Sequence, residues 1–324
     1  MDVDRLVILL YFNYSLPLII FMRPKILITD KIHDYAVEEA KKFADVDLAF
    51  GISKDDLMKK IKNYDALIVR SGTKVTKDVI ENSNLKIIGR AGVGLDNIDV
   101  KAARERGIEI VNSPEASTIS VAELVFGSLI SLIRHIHHAH LSVIRGKWER
   151  NKFIGNELYG KSLGIIGFGR IGKEVAMRAR AFGMKIIVYD PAITVEDTRE
   201  FNAEYSDLDN LLKNSDIVTL HIPLTEKTRN LIDERKIELM KDGAIIVNIA
   251  RGGVVSEDAL YRALKDGKLR GAVLDVYECE PIENSPLCSL DNVVLTPHLG
   301  ASTDEAQINA GLVVVEKIKN FFES

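Results

Sequence analysis

Residues 163–190 read LGIIGFGRIGKEVAMRARAFGMKIIVYD, and this stretch decides the fold. An apolar run (163–166) enters the turn Gly167-Phe168-Gly169-Arg170-Ile171-Gly172. A helix follows with Ile171, Val175, Ala176, Ala179 and Phe182 on one face, and a second apolar run (186–189) ends on Asp190. Strand, G-x-G-x-x-G turn, helix, strand and carboxylate form the βαβ unit that holds a dinucleotide. Gly167 permits the tight turn, Gly169 lets a pyrophosphate approach the backbone, and Gly172 lets the helix lie close on the strand. The helix N-terminus offers orphan N–H groups and a partial positive charge to phosphates. Asp190, 18 residues beyond Gly172, is placed to accept hydrogen bonds from the adenine ribose. A carboxylate there repels a 2′-phosphate, so the expected cofactor is NAD rather than NADP.

Outward from this unit, apolar strands alternate with polar-faced helices. Strands are expected at 25–29, 46–49, 66–69, 85–88 and 108–111, with helices near 33–44, 55–64, 77–82 and 100–106. Ser53 and Asp56 form a capping pattern ahead of the second helix. A single long apolar helix is expected over 119–144, then strands at 163–166, 186–189, 217–220, 244–248, 271–274 and 293–295, and a closing helix over 303–322. Such alternation implies parallel, doubly wound sheets. The expected fold class is α/β with two such domains. A Rossmann NAD-binding domain takes 119–301, and a flavodoxin-like substrate domain takes 23–118 plus 302–324, with the ligand cleft between them.

Composition narrows the function classes. With 46% hydrophobic and 28% charged residues, a net charge of −4 and two cysteines, the 324-residue chain is an ordinary globular protein. It is expected to bind neither nucleic acid nor membrane and to carry no disulfide framework, as suits a reducing cytoplasm. Residues 1–22 are the exception. The run LVILLYFNYSLPLIIFM is short for a membrane span, lacks a basic leader and cleavage site, and is read as an upstream extension irrelevant to function.

Polar residues stand just after three expected strands: Arg251 in NIARGG, Glu280 in DVYECEP and His298 in TPHLGAS. An arginine, a carboxylate and an imidazole at one sheet edge suit hydride transfer to or from a 2-hydroxy acid. His298 takes the hydroxyl proton, Glu280 fixes the imidazole tautomer, and Arg251 grips the substrate carboxylate. In the first half, Arg70, Ser71, Lys74 and Arg90 follow strand ends, and Gly92 lies in the anion-binding backbone Ala91-Gly92-Val93-Gly94. So many cations point to a phosphorylated substrate.

These motifs, with LIVRSGTKVT, IIGRAGVGLDNID, KWERNKFIGNEL and PHLGASTDEAQ, resemble the D-isomer-specific 2-hydroxyacid dehydrogenases over 25–310, and among them most the members that oxidise D-3-phosphoglycerate. The resemblance implies that Arg251, Glu280 and His298 are catalytic. It implies cofactor contacts at Val93, at Gly167, Gly169, Arg170, Ile171, Gly172 and Asp190, at Ile222, Pro223 and Thr228, at Ile249, Ala250 and Asp275, and at Gly300 and Ala301. It also implies NAD-dependent oxidation of D-3-phosphoglycerate, the entry to phosphorylated serine synthesis. The 26 residues after His298 leave no room for a further regulatory domain, so serine inhibition through one is not expected.

Alternatives stay open: a glyoxylate or hydroxypyruvate reductase of the same family, or an NAD-sensing binding protein of corepressor type. The cluster His135, His137, His138, His140 has no neighbouring carboxylate or thiol and is read as solvated or interfacial, so no metal is expected. Arg134 is a candidate to join the substrate cations. The apolar faces of the long helix point to a homodimer or a dimer-based oligomer, and Trp148 is read either as an anchor of a subunit contact or as a cap on a helix end.

Overall fold

The computed structural model describes residues 23–324; the expected extension over 1–22 lies outside them. The chain forms two compact units, one running to Ala116 and including Gln307–Ser324, the other Ser117–Ala306.

The first unit contains β1 (Lys25–Ile28), α1 (Asp34–Phe43), β2 (Asp45–Leu48), α2 (Lys54–Lys60), β3 (Ala66–Val69), α3 (Lys77–Glu81), β4 (Ile87–Arg90), α4 (Val100–Glu105) and β5 (Glu109–Asn112). All strands pair in parallel in the order β2-β1-β3-β4-β5. That is the doubly wound order whose reversal lies between β1 and β3. Strand side chains alternate between faces. Ile26, Ile28, Ile68 and Ile87 pack with α1 and the closing helix Asp304–Glu323, whereas Leu27, Leu67, Val69 and Ile88 pack with α2, α3 and α4. A Cβ on Gly89 would meet Val314 at 2.4 Å, so only glycine in β4 lets the closing helix dock so closely. Ser53 caps α2 by accepting from the Asp56 N–H.

The second unit contains α5 (Thr118–Ile133), α6 (Ile136–Ile144), β6 (Ser162–Ile166), α7 (Arg170–Ala181), β7 (Lys185–Tyr189), β8 (Glu204–Tyr205), β9 (Ile217–Leu220), β10 (Ala244–Asn248), β11 (Leu269–Leu274) and β12 (Val293–Leu295), with further short helices between the later strands. Its seven parallel strands run β12-β11-β10-β9-β6-β7-β8, which places the topological switch between β6 and β9. Leu163, Ile165, Ile217, Val247 and Val273 face α5 and α7; Ile166, Val218, Leu220, Ile246 and Leu274 face the other core. Each fully buried aliphatic side chain contributes roughly 1.5–3 kcal/mol.

Three local expectations are corrected. The single helix over 119–144 is two, bent by 62°. Arg134 ends α5 and His135 adopts a left-handed conformation at φ 54, which no helix interior accommodates. The fourth strand begins at Ile87 rather than 85, so Arg90 is its last residue and does not follow it. Phe182 does not share the buried face of α7: it caps the helix, 40% exposed, and stacks on Phe126. The short edge strand β8, with both residues exposed, carries no apolar signal that the sequence could offer. Among the described residues no single helix is long and apolar enough to cross a membrane.

Candidate active site

The glycine turn sits at the switch between β6 and β9. Gly167, at φ +93, is conformationally obligatory, because a Cβ there would lie 2.6 Å from both the His221 carbonyl oxygen and Ile222 Cγ2. The loop after β9 therefore abuts the turn. It is self-braced, with Thr228 Oγ1 donating to the Pro223 carbonyl at 2.6 Å. A Cβ on Gly172 would stand 2.2 Å from the Gly167 carbonyl oxygen, which is why the first turn of α7 packs so closely on the strand end. Gly169 is the N-cap of α7 and no side chain caps the helix; a Cβ there would meet nothing within 4 Å. Orphan N–H groups, helix dipole and open space above Gly169 are what a pyrophosphate needs, so these residues fit a dinucleotide. Asp190 accepts from the Phe168 N–H at 2.8 Å and from the Ala192 N–H at 2.8 Å, which ties its carboxylate to the same turn.

At the same sheet edge, three neighbouring strands deliver the expected triad. Arg251 follows β10, Glu280 follows β11 and His298 follows β12. His298 Nδ1 lies 2.8 Å from Glu280 Oε2, and Glu280 Oε1 accepts from the Tyr277 N–H at 3.1 Å. The second hydrogen bond fixes the carboxylate, which in turn fixes the ring and leaves His298 Nε2 free for proton transfer. Of the two glutamates beside Cys279, Glu278 instead accepts from the Glu257 N–H. His298 itself is held at φ 55, a conformation that costs roughly 1–3 kcal/mol for a non-glycine residue.

Asp275 supplies part of what holds it there. This fully buried carboxylate accepts from Thr296 Oγ1 and the Leu299 N–H, both at 2.6 Å, and from the Gly300 N–H at 2.8 Å, while its own carbonyl accepts from the His298 N–H at 3.0 Å. Expected among the cofactor contacts, the Asp275 side chain is inaccessible and is engaged by the loop that carries His298. Ser120 closes the loop from α5 by donating to the Gly300 carbonyl. Asn248 does the same for Arg251, donating to its carbonyl at 2.9 Å and accepting from the Ala250 N–H, so Ile249 and Ala250 are set in a braced turn. Ser120 and Asn248 escaped sequence reading because their partners depend on tertiary placement.

The first unit collects its own candidates at the C-terminal edge of its sheet, with Arg70, Ser71 and Lys74 after β3 and Arg90 ending β4. Asp30, past the end of β1, accepts from the N–H groups of Arg70 and Thr73, and Asn97 donates to the carbonyls of both. These two organisers of the cation loop also went unread. The Arg90 guanidinium lies so close to Gly92 that a Cβ there would meet Nη1 at 1.7 Å. The Val93 carbonyl accepts from Asn112 Nδ2 at 2.6 Å. Arg134 does not join this chemistry within its own unit. α5 runs antiparallel to the strands, with Ser120 at the His298 loop and Leu132 beside Gly271 near the start of β11, so Arg134 lies at the opposite edge.

Residues 126–300 match the family model described as D-isomer specific 2-hydroxyacid dehydrogenase, NAD binding domain. The chain is 55% identical over 297 residues to D-3-phosphoglycerate dehydrogenase of Methanocaldococcus jannaschii, across 91% of this chain and 57% of that protein. It is 56% identical over 271 residues to hydroxypyruvate reductase of Thermotoga maritima, across 82% of this chain and 88% of that one. Among solved structures it is similar to D-lactate dehydrogenase of Aquifex aeolicus in complex with NAD and lactic acid, with TM-score 0.82 and 33% identity over 92% of this chain and 95% of that one. The chain thus spans little more than half the length of the phosphoglycerate dehydrogenase it matches.

Proposed function

This chain belongs to the D-isomer-specific 2-hydroxyacid dehydrogenase family with its NAD-binding domain, and we propose that it oxidises D-3-phosphoglycerate to 3-phosphohydroxypyruvate. The observation that carries the reading is the 2.8 Å bond between His298 Nδ1 and Glu280 Oε2 at the sheet edge that also bears the glycine turn. Bound NAD supplies the hydride acceptor. His298 Nε2 takes the proton of the C2 hydroxyl, and Glu280 stabilises the imidazolium that results. Arg251 holds the substrate carboxylate in a planar, two-pronged grip and favours the developing carbonyl. A substrate with a carboxylate and a phosphate needs more cations than one, and Arg70, Lys74 and Arg90 are assigned to that need. The proposed substrate is therefore a small phosphorylated 2-hydroxy acid and the proposed site of action the cytoplasm, with no nucleic-acid or membrane partner.

A hydroxypyruvate reductase is the second reading, favoured by the Thermotoga maritima relative that the chain matches over most of its length. Steady-state kcat/KM over phosphorylated and plain 2-hydroxy acids separates the two. We expect D-3-phosphoglycerate to be preferred to D-glycerate, and Arg70→Ala and Arg90→Ala to erase the preference; equal rates on both acids in the unmodified enzyme refute the phosphate assignment.

We further propose a homodimer or a dimer-based oligomer. One face of α6 exposes Ile136, Val143 and Ile144 at 50%, 56% and 67%, and the segment beyond it exposes Trp148 at 84% and Ile154 at 79%. An apolar surface of that extent is characteristic of a protein contact.

A further inference from the structure

The opposite face of α6 has a different character. His138, Leu141, Ser142 and Arg145, spaced along one helix face, line a cavity of about 560 Å³. It lies wholly within the second unit, within the ordinary range for a small-molecule site. Its floor is apolar, formed by the buried Leu132, Ile133 and Ile245. Its rim is cationic, with Arg145, Lys147, Lys152 and Arg270 against only Glu149 and Asp291. Glu149 is already committed: it takes Lys152 at 2.5 Å and the Ser142 hydroxyl at 3.0 Å. Arg270 donates to the Asn156 side-chain oxygen, and among the described residues no carboxylate lies within ion-pair distance of Arg145, Lys147 or Arg270. His138 Nε2 meets the Asp291 carbonyl at 2.8 Å; a carbonyl only accepts, so the proton is on Nε2.

Arg145 and Arg270, with Lys147 between them and Glu149, stand over an apolar floor and form a recognition surface for one chemical class. We propose that this cavity binds a small, multiply charged organic anion, polycarboxylate or phosphorylated, at a place separate from the catalytic edge. The separation follows from the sheet. Ile245 and Arg270 lie near the starts of β10 and β11, and Asn292 immediately precedes β12, while Arg251, Glu280 and His298 follow the ends of those same strands. Five residues of strand put the two edges about 15 Å apart. An occupant of the cavity therefore neither touches substrate nor competes with it.

The test is isothermal titration of citrate and of inorganic phosphate into the full-length protein saturated with NAD, with Arg251→Gln protein titrated in parallel so that binding at the catalytic cations is told apart. Expected is one further site per chain for at least one of the two probes, with an affinity that falls as salt rises. Citrate binding alone identifies a polycarboxylate; phosphate binding identifies a phosphoryl group. Arg145→Glu and, separately, Arg270→Ala should weaken that site by roughly tenfold or more, the loss for a hydrogen bond to a charged group, while leaving kcat unchanged. Arg251→Gln should leave it intact. Failure of both probes to bind, or equal binding in unfolding-checked Arg145→Glu protein, overturns the proposal.

Discussion

At the scale of single residues, the account turns on groups that hold other groups. Asp275 never meets solvent, yet its three side-chain hydrogen bonds and its backbone carbonyl hold the loop that forces His298 into a left-handed conformation. His221 stands beside the glycine turn. The residue is part-exposed, but Nδ1 is shielded and has no partner, and desolvation pushes its pKa down to about 3. The unfolded chain takes up a proton near pH 6.5 that the folded chain refuses, so the neutral ring stabilises the fold above that pH and the contribution is lost as pH falls from there towards 3. The slope is at most about 1.4 kcal/mol per pH unit. Denaturant titrations of His221→Asn, which keeps a polar partner for Thr219, should show a shallower acid loss than the parent; parallel acid limbs refute this burial. The placement of Arg251, Glu280 and His298 at one sheet edge was legible because each follows an apolar run, while the choice of Glu280 over Glu278 came from the resemblance to the family. Asp30, Asn97, Asn248 and Ser120 were not legible, because each acts across at least one intervening element or a tight turn, and nothing in a local pattern marks such a partner.

At the scale of elements, glycine and periodicity explain what could be read. The βαβ unit was legible because Gly167 and Gly172 answer steric demands while Gly169 leaves open space at the helix N-terminus, and Gly172 allows a direct check. Gly172→Ala would drive a Cβ against the Gly167 carbonyl, and overpacking of this kind costs roughly 1–3 kcal/mol. A lowered melting temperature together with weaker NAD binding is the expected result; unchanged NAD affinity would show that the close packing is dispensable. The bend between α5 and α6 was hidden because apolar residues recur at helical spacing on both sides of it and neither proline nor glycine stands at the break. The left-handed His135 that ends the first helix is set by packing, including the close approach of Gly155 to the Ile133 carbonyl. The bend has a consequence at the next scale, because it turns α6 so that one face lines the cationic cavity and the other is left bare.

At the scale of the whole molecule, strand order carries the function. Both sheets are parallel and doubly wound, with reversals at β1/β3 and β6/β9, so each collects its polar loops at one edge. The bare face of α6 and Trp148 should be covered in an assembly: sedimentation should give at least twice 36.1 kDa, and Ile144→Asp should shift it towards the single chain. Because Trp148 is the only tryptophan, its fluorescence reports on the same event, and a monomeric parent protein would remove the proposed contact. The central claim is that the imidazole–carboxylate pair moves the proton during NAD-dependent oxidation of a D-2-hydroxy acid. The most direct measurement is NADH formation from NAD and D-3-phosphoglycerate by the parent protein, Glu280→Gln and His298→Ala, with NAD affinity measured alongside. The account predicts turnover on the D enantiomer alone, a partial loss in Glu280→Gln, and a loss of roughly 10²–10⁴-fold in His298→Ala with NAD binding intact; undiminished turnover in His298→Ala would contradict it.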